Sequence, residues 1–438
     1  MQRTFDPIER RLCATPGAHC TRRGGSPRFS QLISTRIFEI TRRSASAIKL
    51  TGVNMKIVTQ IVLCAVLTLS AGPAVAAGKS VGYVGTYTSG PGGSPNGSKG
   101  IYGLQADGRG GFKTLGLQAE VSDPSFLATD STHRFLYAAT ERGRPTGALS
   151  SYAIDPATGS LRLLNRVSSH GTSTAHLVVD QTRHWLLVAN YGSGSVGVFA
   201  LGADGRIGAM RDFKQHEGAS IDPRRQGGPH PHEVVMSPDN RFLFVPDLGL
   251  DKIFSYRLNS TNGKLTPGNP AFTQIPPGFG PRHMIFGRDG KFAYVLGEMG
   301  SKLIALAYDK VRGALTPVQT IATIPDGFKG ENNSAELALD ASGRFLYASN
   351  RGHDSVSLFE ISPRTGKLSL LQVEPSRGKT PRNIALDPDG THFLAANQDS
   401  GQIVIFKRDA SSGRITPDGQ VLDIPSPVCI LFVPLNGR

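Results

Sequence analysis

Residues able to move a proton or hold an anion recur along this chain at intervals of about fifty residues. His232 and Arg282 are 50 apart, and Glu298 and Arg351 are 53 apart. Arg382 and Glu141 fall into the same two series. An imidazole or a carboxylate can take a proton from an attacking water. A guanidinium grips a carboxylate or phosphate through paired hydrogen bonds, and it can stabilise an oxyanion as it forms. The excess of arginine suits an anionic ligand, provided that a repeating fold carries these side chains to one place.

Such a repeat is present. Six segments of 18 residues align: DPSFLATDSTHRFLYAAT (123–140), STAHLVVDQTRHWLLVAN (173–190), HPHEVVMSPDNRFLFVPD (230–247), GPRHMIFGRDGKFAYVLG (280–297), NSAELALDASGRFLYASN (333–350) and TPRNIALDPDGTHFLAAN (380–397). Their starts are separated by 50, 57, 50, 53 and 47 residues. In each, a short apolar strand reaches a turn such as Ser-Pro-Asp-Asn or Asp-Pro-Asp-Gly, and a second strand returns. Turn residues at fixed offsets between such runs signal hairpins. A further strand pair with a Gly-bearing turn follows each unit, for example at Thr158-Gly159, Asn262-Gly263 and Thr365-Gly366. Four strands in about fifty residues is the pattern of propeller blades. A seventh blade is split: SPVCILFVP at the C-terminus supplies one strand, and VGYVGTYT from Val81 supplies the next. The expected fold is therefore all-β, a seven-bladed β-propeller whose ring is closed by N- and C-terminal strands sharing one blade.

The repeat lets positions be compared. The third residues of the units are Ser125, Ala175, His232, Arg282, Ala335, Arg382 and, in the split blade, Val428. The residues just after the second strands are Tyr87, Glu141, Tyr191, Leu248, Glu298, Arg351 and Gln398. Inner strands line the channel and second strands return antiparallel, so both series are expected at one mouth. A repeated scaffold bearing unrepeated polar residues is how a site is grafted onto such a fold. His232, Arg282, Glu298 and Arg351 are the expected catalytic group, with Arg382, Glu141 and Glu336 expected to bind substrate. The plainer alternative is a structural ring of ion pairs. His176 and His283, at the fourth positions, are expected to point the opposite way and pack between blades. Trp185 is expected in the core.

Several signals are set aside. GSGSVG (192–197) has the letters of a dinucleotide fingerprint, but it joins two strands and opens no helix. In His230-Pro231-His232 the proline makes joint metal ligation awkward, so neither metal nor cofactor is expected. No Gly-x-Ser-x-Gly elbow is present.

The N-terminal part reads differently. Met55-Lys56, the apolar run Ile57–Leu69 and Ala74-Val75-Ala76-Ala77 have the layout of a secretory signal peptide, and the apolar run is shorter than the roughly 20 residues that span a bilayer. Residues 1–54 are Arg- and Ser-rich without periodicity and are read as an upstream extension, 55–77 as the signal, and 78–438 as the propeller. Residues 1–77 hold 11 Lys and Arg against 3 Asp and Glu, a net +8, which leaves +6 of the chain's +14 on the remainder. That mild charge, with no dense basic run, argues against a nucleic-acid partner. Of four cysteines only Cys429 falls outside the first 77 residues, and its apolar neighbours make it a buried packing residue. A monomer in the periplasm or secreted, without stable membrane insertion, is expected.

The stretches 230–253, 278–298, 334–356 and 380–406, above all GPRHM and NRG, resemble the seven-bladed propeller lactonase family, which includes bacterial 6-phosphogluconolactonases and fungal carboxy-muconate lactonizing enzymes. The resemblance runs from about residue 80 to the C-terminus, and it places the family's proposed site residues on His232, Arg282, Glu298 and Arg351. It implies a lactonase acting on a small anionic lactone. The alternatives are a cycloisomerase acting on a muconate-like substrate, or a non-catalytic exported propeller that binds a partner. One departure is location: phosphogluconolactone belongs to a cytosolic pathway, whereas this chain reads as exported.

Overall fold

The computed structural model describes residues 80–89, 97–107, 110–141 and 147–435. The expected signal peptide and the residues before it lie outside the described residues. Every regular element among the described residues is a strand, and the strands form seven four-stranded antiparallel sheets.

Each 18-residue unit builds the two inner strands of a blade, as in Pro124–Thr129 and Phe135–Thr140 of blade 1. The turn between them is held by its own side chains. Asp130, Asp180, Asp340 and Asp387 accept the backbone N–H of Phe135, Trp185, Phe345 and His392 respectively. In blade 3 the Ser237 hydroxyl takes the N–H of Phe242. A short acceptor bonded back to its own turn fixes where the chain reverses.

Blade 7 joins the two ends of the propeller. Pro427–Pro434 pairs antiparallel with Ser80–Thr86, in one register from Ser80↔Pro434 to Gly85↔Cys429 and shifted by one at Thr86↔Pro427. The ring is closed as the sequence implied, with the C-terminal strand innermost and the N-terminal strand paired on both sides. Apolar side chains fill the spaces between neighbouring blades: Val81, Tyr83 and Val433 of blade 7 meet Leu127, Leu136 and Tyr152 of blade 1. Trp185 packs against Leu243 and Leu258 of the next blade, and its Nε1 donates to the Ser260 carbonyl at 2.9 Å. Cys429 is buried, which pushes its thiol up to about 12 and leaves it inert as a nucleophile.

One feature overturns an expectation. Near the start of every inner strand the register slips by one residue, so that Pro281↔Gly297 is followed by His283↔Leu296, and Pro381↔Asn397 by Asn383↔Ala396. The same slip follows Pro124, Thr174, Pro231, Ser334 and Pro427. A bulge re-aims the side chains beside it. His176 and His283 therefore do not pack between blades. Their ring centroids lie 5.7 Å apart although blades 2 and 4 are not neighbours, and Phe126 of blade 1 lies 6.0 Å from His283. Such contacts are made only across the channel axis. Third and fourth positions thus both face the channel, as two successive layers.

Candidate active site

Backbone bonds bring the two residue series together. In six blades the residue after the second strand donates its N–H to the first residue of the unit, as Glu141 does to Asp123 and Glu298 to Gly280. In blade 5 the ladder itself pairs Arg351 with Asn333. Both series accordingly meet at one mouth, around a cavity of about 270 Å³ lined by Glu141, Glu298, Arg351, Arg382 and His232. Tyr191, Asn333 and Arg225 complete the lining.

Glu298 is the hub. Its Oε2 lies 2.9 Å from Nε of Arg282 and 2.9 Å from Nη2 of Arg351, and its Oε1 lies 2.5 Å from Nη2 of Arg225. Burial would raise its affinity for a proton, but Arg351, Arg282 and Arg225 outweigh burial and hold it well below the usual carboxylate range. It is a fixed anion and a poor base. Arg282 is almost fully buried, donates to the Ala335 carbonyl and lies outside the cavity lining. Burial first, then Arg351 and Arg382, push it down to about 10, so it keeps its charge at neutral pH. Arg351 is steadied by donating Nε to the Asn333 carbonyl at 3.1 Å.

On the other side of the cavity, Arg382 of blade 6 reaches Glu141 of blade 1 at 3.4 Å and lies 5.0 Å over the Tyr87 ring. The Tyr87 hydroxyl donates to Glu141 at 2.5 Å. The Arg382–Glu141 contact is long, Nη2 donating to both carboxylate oxygens at 3.4–3.5 Å, and leaves the rest of that guanidinium's donors to offer a ligand.

His232 lines the same cavity, with Tyr191 edge-on at 5.4 Å. Its Nδ1 is buried without a hydrogen-bond partner. Burial, then the Arg282 charge, holds the imidazole well below its usual range, so it is neutral at pH 7. Four guanidiniums then face two carboxylates, and the mouth carries a net positive charge.

Glu336 is not brought to this cavity. It sits in the fourth-position layer, where its carboxylate meets His283 Nδ1 at 2.7 Å and Asn383 Nδ2 at 2.6 Å. That layer, with His176 and Glu233, borders a wider cavity of about 690 Å³ toward the opposite end of the channel. The strand slip accounts for the difference, since it sets consecutive residues into separate layers.

Arg225 is the member that reading by repeat position missed, because it belongs to no repeat. It lies in the segment between blades 2 and 3, where the unit spacing is longest at 57 residues. That excess was the available signal. The neighbouring Gln226, fully buried, ties the segment down through Nε2 to the Leu248 carbonyl and to Asp251 at 2.9 and 2.8 Å. Among the described residues no group of three or more His, Cys, Asp and Glu is arranged to hold a metal ion.

The chain forms a closed ring of seven four-stranded blades with a small cationic pocket at one mouth, holding an imidazole and a fixed carboxylate. The chain belongs to the seven-bladed β-propeller lactonase family, whose pattern it matches over residues 81–432. It is 34% identical over 357 residues to the 6-phosphogluconolactonase of Bacillus subtilis, covering 81% of this chain and 99% of that one. It is 33% identical over 302 residues to the 6-phosphogluconolactonase of Formosa agariphila, covering 67% and 84%. The solved structure of a periplasmic gluconolactonase from Pseudomonas aeruginosa superposes with a TM-score of 0.76 at 35% identity, covering 82% of this chain and 99% of that one. Of the three functional readings of the sequence, a lactone hydrolase is the one these relatives bear out.

Proposed function

We propose that the protein hydrolyses the ring ester of a sugar lactone bearing a carboxylate or phosphate, and that it does so after export to the periplasm. The observation that carries this reading is the charge at one mouth: Arg225, Arg282, Arg351 and Arg382 against Glu141 and Glu298 around a cavity of sugar size. The relatives' names supply the lactone, one of them in the periplasm.

In the proposed reaction Arg382 holds the anionic group. Arg351 faces the carbonyl oxygen as it gains charge. Arg282, behind the wall, holds Glu298, and Glu298 in turn orders Arg351 and Arg225. His232 takes the proton from water as the water oxygen attacks the carbonyl carbon. It then returns that proton to the ring oxygen as the C–O bond breaks, leaving a free hydroxyl and a carboxylic acid that releases its remaining proton to solvent. Glu298 is too strongly held by its guanidiniums to serve as this base. An arriving anion offsets the charges that suppress His232 and raises its basicity when substrate is present.

The test is acid release by the purified protein from gluconolactone, its 6-phosphate and a carboxylate-bearing aldarolactone. Turnover with a lower KM for the anionic lactones is expected. No turnover of any of them defeats the reading, and loss of a carboxy-muconate's conjugated-diene absorbance would replace it with ring closure.

A further inference from the structure

The layer beneath the pocket contains a run of side chains that the reaction above leaves unused. Glu336 sits on the channel wall of blade 5, and every acceptor position turned toward its neighbours is fixed. The Leu337 N–H donates to Oε1 at 2.9 Å. Asn383 donates Nδ2 to Oε2, its orientation set because its Oδ1 accepts the Ile430 N–H at 2.9 Å. Burial opposes ionisation, but His283, the Arg282 charge and the Leu337 N–H hold Glu336 below the usual carboxylate range. An ionised carboxylate has no proton to give, so at the 2.7 Å contact His283 Nδ1 is the donor. His283 is neutral, since burial lowers its proton affinity. Its Nε2 must then carry a lone pair.

That Nε2 is buried and has no partner. A buried acceptor left unpaired is costly. Two rings are near enough to satisfy it. His176 is excluded: its Nδ1 takes the Val234 N–H and its Nε2 faces Glu233 Oε1, both at 3.5 Å. His232 remains, with its ring centroid 5.2 Å from that of His283 at 70° and its own Nδ1 equally buried and unpaired. Arg282 Nε, the other nearby donor, likewise makes no hydrogen bond and is held by its 2.9 Å ion pair with Glu298 Oε2. As the rings stand the two nitrogens do not bond each other, and since one is bound to be an acceptor, turning the rings together would satisfy both.

We infer that Glu336, His283 and His232 form one hydrogen-bonded line, Glu336 carboxylate to His283 Nδ1–H and His283 Nε2 to His232 Nδ1–H, which fixes the His232 tautomer and presents its Nε2 lone pair to the substrate cavity. His283 and Glu336 are positioning residues: they touch no substrate, and they act by orienting His232 and by balancing the imidazolium that it becomes. Around His232 stand Arg282, Arg351, Arg382, His283 and Tyr191; around His283 stand His176, His232, Glu336 and the Arg282 and Arg382 charges. Glu336 thus supplies the negative charge closest along the bonded line. The proton bookkeeping is unchanged, because the proton that His232 takes from water is the one it returns to the leaving oxygen.

This rests on the hydrolytic reading, and the experiment separates the two. Nitrogen-15 spectra of the histidine rings of the wild-type protein at pH 7.5 should show His232 protonated on Nδ1 and bare on Nε2; the reverse tautomer overturns the line without reference to any activity. Glu336→Gln and His283→Gln should lower kcat by about 10²–10⁴-fold with KM within about twofold, as when a catalytic imidazole loses its orienting carboxylate. In Glu336→Gln the acid limb of the kcat/KM profile should also move to lower pH, because removing the anion makes His232 harder to protonate. Unchanged kcat and an unmoved limb in both variants overturn the line while lactone hydrolysis stands. A wild-type protein that opens no lactone defeats the hydrolytic reading, and the ring spectra still decide the tautomer.

Discussion

Arg225 Nη2 lies 2.5 Å from Glu298 Oε1, although 73 residues separate them in the chain. Arg225 is the most exposed of the three guanidiniums on that carboxylate, its side chain 37% accessible against 3% for Arg282. It can therefore be removed without stranding a buried charge. Arg225→Ala should leave the melting temperature nearly unchanged and raise KM for an anionic lactone by about three- to tenfold, the worth of one partly solvated charged contact. Thermal melts beside steady-state kinetics check both halves.

Glu298→Gln should behave in the opposite way. It removes the anion on which Arg282 and Arg351 converge, and both are largely buried. Losing one member of a buried ion cluster costs about 3–5 kcal/mol. A large fall in denaturant midpoint is expected, with activity lost as the guanidiniums spread. A variant as stable as the wild type would show that Glu298 does not hold the cluster.

Arg382 separates binding of the anion from binding of the sugar. Its guanidinium rests on the Tyr87 ring and contacts Glu141 only at 3.4 Å, so its donors are available. Arg382→Gln should raise KM for gluconolactone 6-phosphate by about 10–100-fold, in line with a charge-assisted pair, while the value for neutral gluconolactone changes little. Equal losses on both substrates would assign Arg382 to the scaffold.

The blades, their number and the shared seventh sheet were legible because each rests on short-range signals repeated six times: an acidic or hydroxyl turn residue, a strand period, a glycine turn. The convergence of His232, Arg282, Glu298, Arg351, Arg382 and Glu141 at one mouth was legible for the same reason, since equal positions in equal blades must share a height. Two things were not. Strand alternation predicts that neighbouring residues face opposite ways, and the slip after the second position cancels that rule, so His283 and Glu336 were misplaced. Arg225 comes from a segment with no counterpart in other blades, and no comparison between repeats can place it.

Ring closure can be tested at Gly85, in the strand that pairs with the C-terminal one. A Cβ there would lie 2.2 Å from the Pro124 carbonyl oxygen of the next blade, a backbone atom that cannot move aside cheaply. Gly85→Ala should cost at least about 1–3 kcal/mol. Faster amide exchange at Tyr83–Thr86 and at Cys429–Val433 should accompany the loss, because those residues form the pairing that joins the chain ends. Destabilisation without that local change would place the strain elsewhere.

Acidity should loosen the propeller well above the range where carboxylates titrate. His176, His232 and His283 are buried along the channel, and burial holds each below the ordinary histidine value of 6.5. Between pH 6 and 5 the unfolded chain protonates all three while the folded chain does not, so folding loses stability as pH falls. Glu233 runs the other way: burial and the nearby Glu336 raise it well above 4.5, so the folded state keeps a proton that the unfolded state has released. Three histidines against one glutamate leave more protons on the unfolded chain, so stability falls as pH falls through this range. Below 4.5 the loss continues as Glu298 and Glu336, both depressed by their cationic and hydrogen-bonding partners, approach protonation. Urea midpoints measured from pH 7 to 5 should fall steadily at constant m-value. His176→Phe should flatten the slope, since it removes one proton acceptor from the unfolded state and leaves an apolar ring beside Phe126. A midpoint that stays level down to pH 5 would mean that the channel histidines take up protons in the folded state.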